Sequence, residues 1–308
     1  MAGGACHFTI AEKRSIDMGT VIALLLVLST LTACMGGTMT DVKNALPAMA
    51  EVPDTITYTV ELDEHRTVIH DEDGALLVTY EYEVPVLCAI RGDGSVIEEP
   101  KSPVEAEALA VTDTFNQEFA EWAEEEHILS MVGYAKEDRK FREESGVAWE
   151  DIFAYTESLA CRIYQTEQLI SISAVYNTYT GGAHPNQVLL GWNFDLTNGD
   201  FFAPEALAAD SQEFSDLVTA DIIRQAQVRA EDADMEPEVY FWENYQEIAG
   251  SWGTYAVSFD ETGMVVGYSP YEMACYAAGP QVFTLEYELL QPSLSDHGRE
   301  VLQLQKHK

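Results

Sequence analysis

The string Tyr179-Thr180-Gly181-Gly182-Ala183-His184-Pro185-Asn186 carries the most chemistry in the chain. Paired glycines open backbone conformations closed to other residues and the proline fixes the exit, so this is a constrained turn that presents His184 to solvent. An imidazole held there can donate or accept near neutral pH. The same ring can instead tie the turn to a neighbouring strand, and that structural role is preferred because no acid or nucleophile stands as its partner in sequence. Tyr179, Gly181, Gly182, His184, Asn186 and Trp192 are the candidate ligand-binding residues. Tyr179, Trp192, Trp242 and Trp252 have the side chains for an aromatic platform under a sugar or a protein, and equally for an aromatic core.

Catalytic motifs are missing. The sequence has no G-x-S-x-G elbow, phosphate loop, H-E-x-x-H or G-x-G-x-x-G. Gly267-Tyr268-Ser269-Pro270-Tyr271 lacks the second glycine of an elbow. His65 and His70, five apart, fall on opposite faces of a strand and cannot share a metal. Paired carboxylates are uninformative among 53 acids, and Asp71-Glu72-Asp73-Gly74 and the 195–200 segment both miss the full calcium-loop spacing. Arg91-Gly92-Asp93 is explained by a turn. No catalytic residue, metal or cofactor is expected.

The 16 Lys+Arg against 53 Asp+Glu give a formal net charge of -37. Such a surface repels a phosphate backbone, so nucleic acid is excluded as a partner; it favours basic partners or, equally, is a solvated acidic face with no partner. At the N-terminus Lys13 and Arg14 precede an apolar run over 21–31, closed by Leu31-Thr32-Ala33-Cys34. The run is too short for the roughly 20 residues of a membrane span. It resembles a bacterial lipoprotein signal, which implies removal of 1–33 and lipidation of Cys34. The chain would then be held by its lipid on the outer face of the cytoplasmic membrane, with 34–52 as a flexible tether. Of the remaining cysteines Cys88, Cys161 and Cys275, sequence allows any one pair; Cys88 and Cys161, both in strand-like stretches, are the candidate disulfide.

The elements that position these residues read as α+β with mainly antiparallel sheets, each packed by an amphipathic helix. Ile56, Tyr58, Val60 and Leu62 alternate with polar residues as a strand, and 75–87 forms a second, with Pro85 marking an edge or bulge. Ser102-Pro103 followed by Glu105 opens a helix whose inner face is Val104, Ala108, Val111, Phe115, Phe119 and Trp122. The 134–149 segment is charged and irregular. Strands follow at 153–164, 169–179 and 189–196, and Asn198-Gly199 makes a tight turn. A second helix opens at Pro204 with Leu207, Phe214, Leu217, Val218 and Ile222 on one side. A hairpin joins 254–259 to 264–268, a last strand spans 281–289, and the tail after Pro292 frays.

One family resemblance rests on two strings. Tyr179 to Asn186, with Asn193-Phe194-Asp195-Leu196 and Asn198-Gly199, is the first. Tyr268-Ser269-Pro270-Tyr271-Glu272 with Tyr276-Ala277-Ala278-Gly279-Pro280 is the second. Together they resemble the extracellular region of the lysozyme-responsive anti-sigma factor of Gram-positive bacteria, a lysozyme receptor. The first part is also similar to the non-catalytic N-terminal domain of certain peptidoglycan deacetylases. The resemblance implies two α+β domains, 53–190 and 191–292, before a 293–308 tail. A lipoprotein-like signal stands where that family has a sigma-binding segment and a membrane span, and no Asp/His catalytic domain is recognised in the sequence, so sigma control and deacetylation are not expected to carry over. What is expected is a surface-anchored, non-catalytic module that recognises a basic extracellular protein such as lysozyme, or peptidoglycan fragments. A peptidoglycan-modifying enzyme whose site no linear motif reveals is the alternative.

Overall fold

The Ser102 hydroxyl accepts the Glu105 N–H at 3.2 Å and starts the first helix, with Pro103 as its first residue. The structure, a computed structural model, describes residues 55–123, 125–147 and 153–304. The expected signal, Cys34 and the tether lie outside the described residues. Glu105 does not complete a capping box. Its carboxylate accepts from Lys101 N and from the Arg91 guanidinium at 2.7 and 3.1 Å, which fastens the helix start to the preceding strand.

The first part comprises β1 (Thr57–His70), β2 (Leu76–Ile90), α1 (Pro103–Phe119), α2 (Glu125–Glu144), β3 (Tyr155–Gln165), β4 (Leu169–Tyr179), β5 (Asn186–Asp195) and β6 (Asp200–Phe201). The strands form one sheet in sequence order. All neighbours are antiparallel except β2 and β3, which pair in parallel from Val78↔Tyr155 to Tyr82↔Leu159. A parallel pair needs a crossover, and α1 and α2 supply it. Pro85 lies beyond the last β2–β3 pair, where its missing N–H costs no ladder bond, so it sits at a local edge as expected.

The second part begins with a single 3₁₀ turn at Pro204–Leu207, followed by α3 (Ser211–Asp232), α4 (Pro237–Tyr240), α5 (Tyr245–Gly250), β7 (Ala256–Phe259), β8 (Gly263–Tyr268), β9 (Gln281–Glu286), α6 (Tyr287–Leu290) and α7 (Asp296–Val301). β7, β8 and β9 form an antiparallel sheet. The helix expected from Pro204 therefore breaks and restarts. Asp210 recaps it by accepting Gln212 N and Glu213 N at 2.9 and 3.0 Å, a cap worth about 1 kcal/mol. Phe214, Val218, Ile222, Ala226 and Ala230 of α3 are buried against the three-stranded sheet, and full burial of the larger ones contributes about 1.5–3 kcal/mol each.

The α+β class holds, with a separate core on each sheet. Ile170, Ile172 and Ala174 of β4 face the first, with Tyr80, Phe115, Phe119 and Phe194, while their neighbour Leu169 joins the second. The six-stranded sheet is thus buried on both faces here. Position 190/191, the expected domain boundary, falls inside β5.

Four expectations need correction. The charged 134–149 segment lies largely in α2, held by i,i+4 pairs such as Arg142–Asp138 at 2.7 Å and by Arg139, which grips Asp71 and Asp73 of the β1–β2 turn at 3.0 and 2.5 Å. The residues after Pro292 do not fray through 304. They form α7, Val301 is fully buried, and His297 Nε2 meets the buried Asp195 carboxylate at 2.8 Å. Val104 is exposed, because the inner stripe of α1 runs through Glu105, Ala108 and Thr112 instead. Cys88 and Cys161 are not bridged. Continuing the β2–β3 register places Cys161 level with Val84, four residues or about 13 Å from Cys88, far beyond disulfide reach.

Candidate functional site

The β4–β5 pairing runs to Thr178↔Asn186, and the chain between them turns through Gly181 and Gly182 at φ 99 and 103°, where a side chain would be strained. The Tyr179 hydroxyl donates to Gly182 O at 3.0 Å, and its ring meets Phe153 edge-on. The Arg142 guanidinium, held by Asp138, fills the space where a Cβ on Gly181 would stand, 2.9 Å away. Locked from both sides, the turn projects His184 outward. Asn186 is exposed at the start of β5.

The partner of this turn comes from the far end of the sequence. After β8, Tyr271 takes φ 74°, rare for a bulky residue, and its N–H donates to Ala274 O at 3.0 Å. Ser269 N donates to the Glu272 carboxylate, and the Ser269 hydroxyl accepts Leu189 N at 3.1 Å, which ties the loop to β5. The Trp242 indole donates to Tyr271 O at 3.0 Å. These bonds bring Tyr271 and Tyr276 to His184. The imidazole stacks on the Tyr276 ring with centroids 3.5 Å apart and planes at 15°. His184 Nδ1 lies 3.0 Å from Pro185 O and Nε2 lies 3.3 Å from the Tyr271 hydroxyl. With the hydrogen assigned to Nδ1, that nitrogen donates to the carbonyl and Nε2 accepts from the phenol.

The two strings on which the resemblance rested therefore meet in one place. His184 is exposed, Tyr271 is 56% exposed and Trp242 37% exposed, so the cluster is a solvent-facing ring patch. The polar partners of His184 are a carbonyl and a phenol. A patch of this make-up offers aromatic faces, on which cationic side chains or sugar rings settle.

Trp192 is not part of it. Six residues along β5 from Asn186, it packs edge-on against Phe119 and donates from Nε1 to Glu118 at 3.1 Å. There it lines a separate cleft of about 340 Å³ with Phe201, Tyr255 and Asn193. Trp252 is buried in the second core and donates to the Ser215 hydroxyl, so it is no platform. His65 pairs with Asp63 at 3.1 Å and His70 is exposed. Among the described residues no group of three or more His, Cys, Asp or Glu is placed to hold a metal, and no helix is long and apolar enough to cross a membrane.

A buried junction fixes the two parts and hence the patch. The Ser171 hydroxyl donates to Asn193 Oδ1 at 2.7 Å and accepts Phe259 N at 2.6 Å; Asn193 Nδ2 donates to Val257 O at 2.9 Å. At Gly191 the strands approach so closely that a Cβ would collide with the Val257 carbonyl. This glycine had no signal in the sequence. Tyr271 and Tyr276 stood in the second string, but nothing local assigned them to His184.

A family profile described as "Protein of unknown function (DUF3298)" matches residues 199–288, which take in α3, the second sheet and Tyr271 and Tyr276. A DUF3298 family member from Bacteroides fragilis shares the fold at 15% identity with a TM-score of 0.50, over 82% of this chain and 100% of that one. A DUF3298 family protein from Pseudomonas aeruginosa superposes at 16% identity with a TM-score of 0.43, over 78% and 95%. No curated protein matches the chain.

Proposed function

We propose that this protein is a non-catalytic binding module, held by lipidated Cys34 on the outer face of the cytoplasmic membrane, that docks a basic extracellular protein such as a lysozyme. The observation that carries this reading is the ring patch of exposed His184 and Tyr271 on half-buried Tyr276, in a chain of net charge -37. Tyrosine faces attract Lys and Arg side chains, and the surrounding negative potential speeds the approach of a cationic partner. The resemblance to the lysozyme-receptor module supports the same partner. The Trp192 cleft, with the Glu118 carboxylate beside an indole, favours a peptidoglycan fragment as the second reading.

The test is a calorimetric titration of residues 51–308 with a basic c-type lysozyme at low and physiological salt, beside a cationic control protein of equal charge. Saturable binding that exceeds the control and persists at physiological salt is expected. Binding equal to the control and lost with salt overturns the lysozyme reading and moves attention to cell-wall fragments. Turnover of peptidoglycan by the same protein would favour a modifying enzyme instead.

A further inference from the structure

Beside the junction at β5 and β7 a slot of about 380 Å³ stays open between the two sheets. It faces the sides of the sheets turned away from their helices. Ala160, Ser173, Ala256 and Gly267 put little volume into it, and Val175 and Leu189 give it apolar walls. Among the described residues Arg162, exposed on β3, is the only charged one lining the slot, and it makes no ion pair with another of them. No described acid lines this space.

We propose that the slot binds a fatty acid, with the alkyl chain between the sheets and the carboxylate on Arg162. The volume lies in the range of small-molecule cavities, and an apolar body with a single convergent cation selects an acidic amphiphile. A peptide fits poorly. Lying between two sheet faces, an inserted peptide would meet side chains and find its own backbone groups unpartnered. The repulsion of distant acids is screened within about 8 Å at physiological salt, whereas the Arg162 contact is direct. The slot shares no residue with the ring patch, so this proposal stands or falls apart from the lysozyme reading.

The full chain is titrated calorimetrically with dodecanoate and with dodecanol, an uncharged probe of equal chain length, below micellar concentration. Saturable binding of dodecanoate at one site per chain is expected, about tenfold tighter than dodecanol. Arg162→Gln removes that preference and leaves dodecanol binding unchanged. Ser173→Leu fills the slot and abolishes binding of both, with its melting temperature read in parallel to show that the fold persists. No saturable dodecanoate binding, or binding indifferent to both substitutions in folded protein, overturns the proposal.

Discussion

The His184 ring lies on the Tyr276 ring at 3.5 Å, across 92 residues of sequence, and so joins the turn after β4 to the loop after β8. Each string alone is a constrained loop; the stack makes them one surface. His184→Ala removes the stacking partner and the acceptor of the Tyr271 hydroxyl. The expected cost is about 1 kcal/mol of stability, while lysozyme affinity falls about tenfold. His184→Phe keeps the stack and restores most of the stability. Calorimetry with thermal melts of both variants checks this, and unchanged affinity in the alanine variant would show that the patch is not the docking site.

Gly191 and the Ser171–Asn193 pair should matter more for stability than any residue of the patch. A Cβ at position 191 forces the β5 and β7 backbones apart, so Gly191→Ala is expected to cost about 1–3 kcal/mol by overpacking. Ser171→Ala leaves Asn193 Oδ1 and Phe259 N short of a partner, for about the same loss. Urea unfolding measures both, and the double variant should cost less than the sum because both act on one junction.

What the sequence made legible is what local chemistry decides. The Ser102 cap, the alternation of β4 and the Asn198-Gly199 turn all act within a few residues. α2 was missed because its charged face reads as solvated loop, yet Arg139 finds Asp71, 68 residues earlier, only in the folded chain. α7 was missed for the same reason: His297 meets Asp195 across 102 residues. At the site, the double glycine announced a rigid turn, but its partner Tyr271 lies 87 residues away, and no spacing rule reaches that far.

Alkaline pH should unfold the first part through its tyrosines. The Glu157 carboxylate is buried at 2% exposure, and the Tyr176 hydroxyl donates to it. Burial raises the Tyr80, Tyr82 and Tyr176 hydroxyls well above the usual tyrosine range, and the Glu157 charge raises them further. A raised folded-state value means the folded protein holds these protons more tightly. Their contribution is therefore complete below about pH 10, the unfolded value, and is lost as pH rises beyond it. The urea midpoint should hold up to that pH and fall steeply above it. Tyr176→Phe should lower the midpoint at neutral pH, by taking a donor from Glu157, and make the alkaline fall shallower. A midpoint independent of pH up to strongly alkaline conditions would show that these tyrosines are not coupled to folding.

The three cysteines of residues 51–308, taken as that fragment, should separate by reactivity. Cys275 is exposed, whereas Cys88 and Cys161 are partly buried in β2 and β3. Burial, with the Glu83 charge adding to it, pushes the Cys161 thiol up to about 12, and burial with the Glu61 charge raises Cys88. Only the thiolate attacks, so at neutral pH a disulfide reagent should modify Cys275 quickly and the other two far more slowly. Cys275→Ser should abolish the fast phase. In denaturant without reductant all three should react alike, because register keeps Cys88 and Cys161 apart. An intact mass lacking two of the three adducts under those conditions would mean that a pair had oxidised, and that β2 and β3 can leave the register described here.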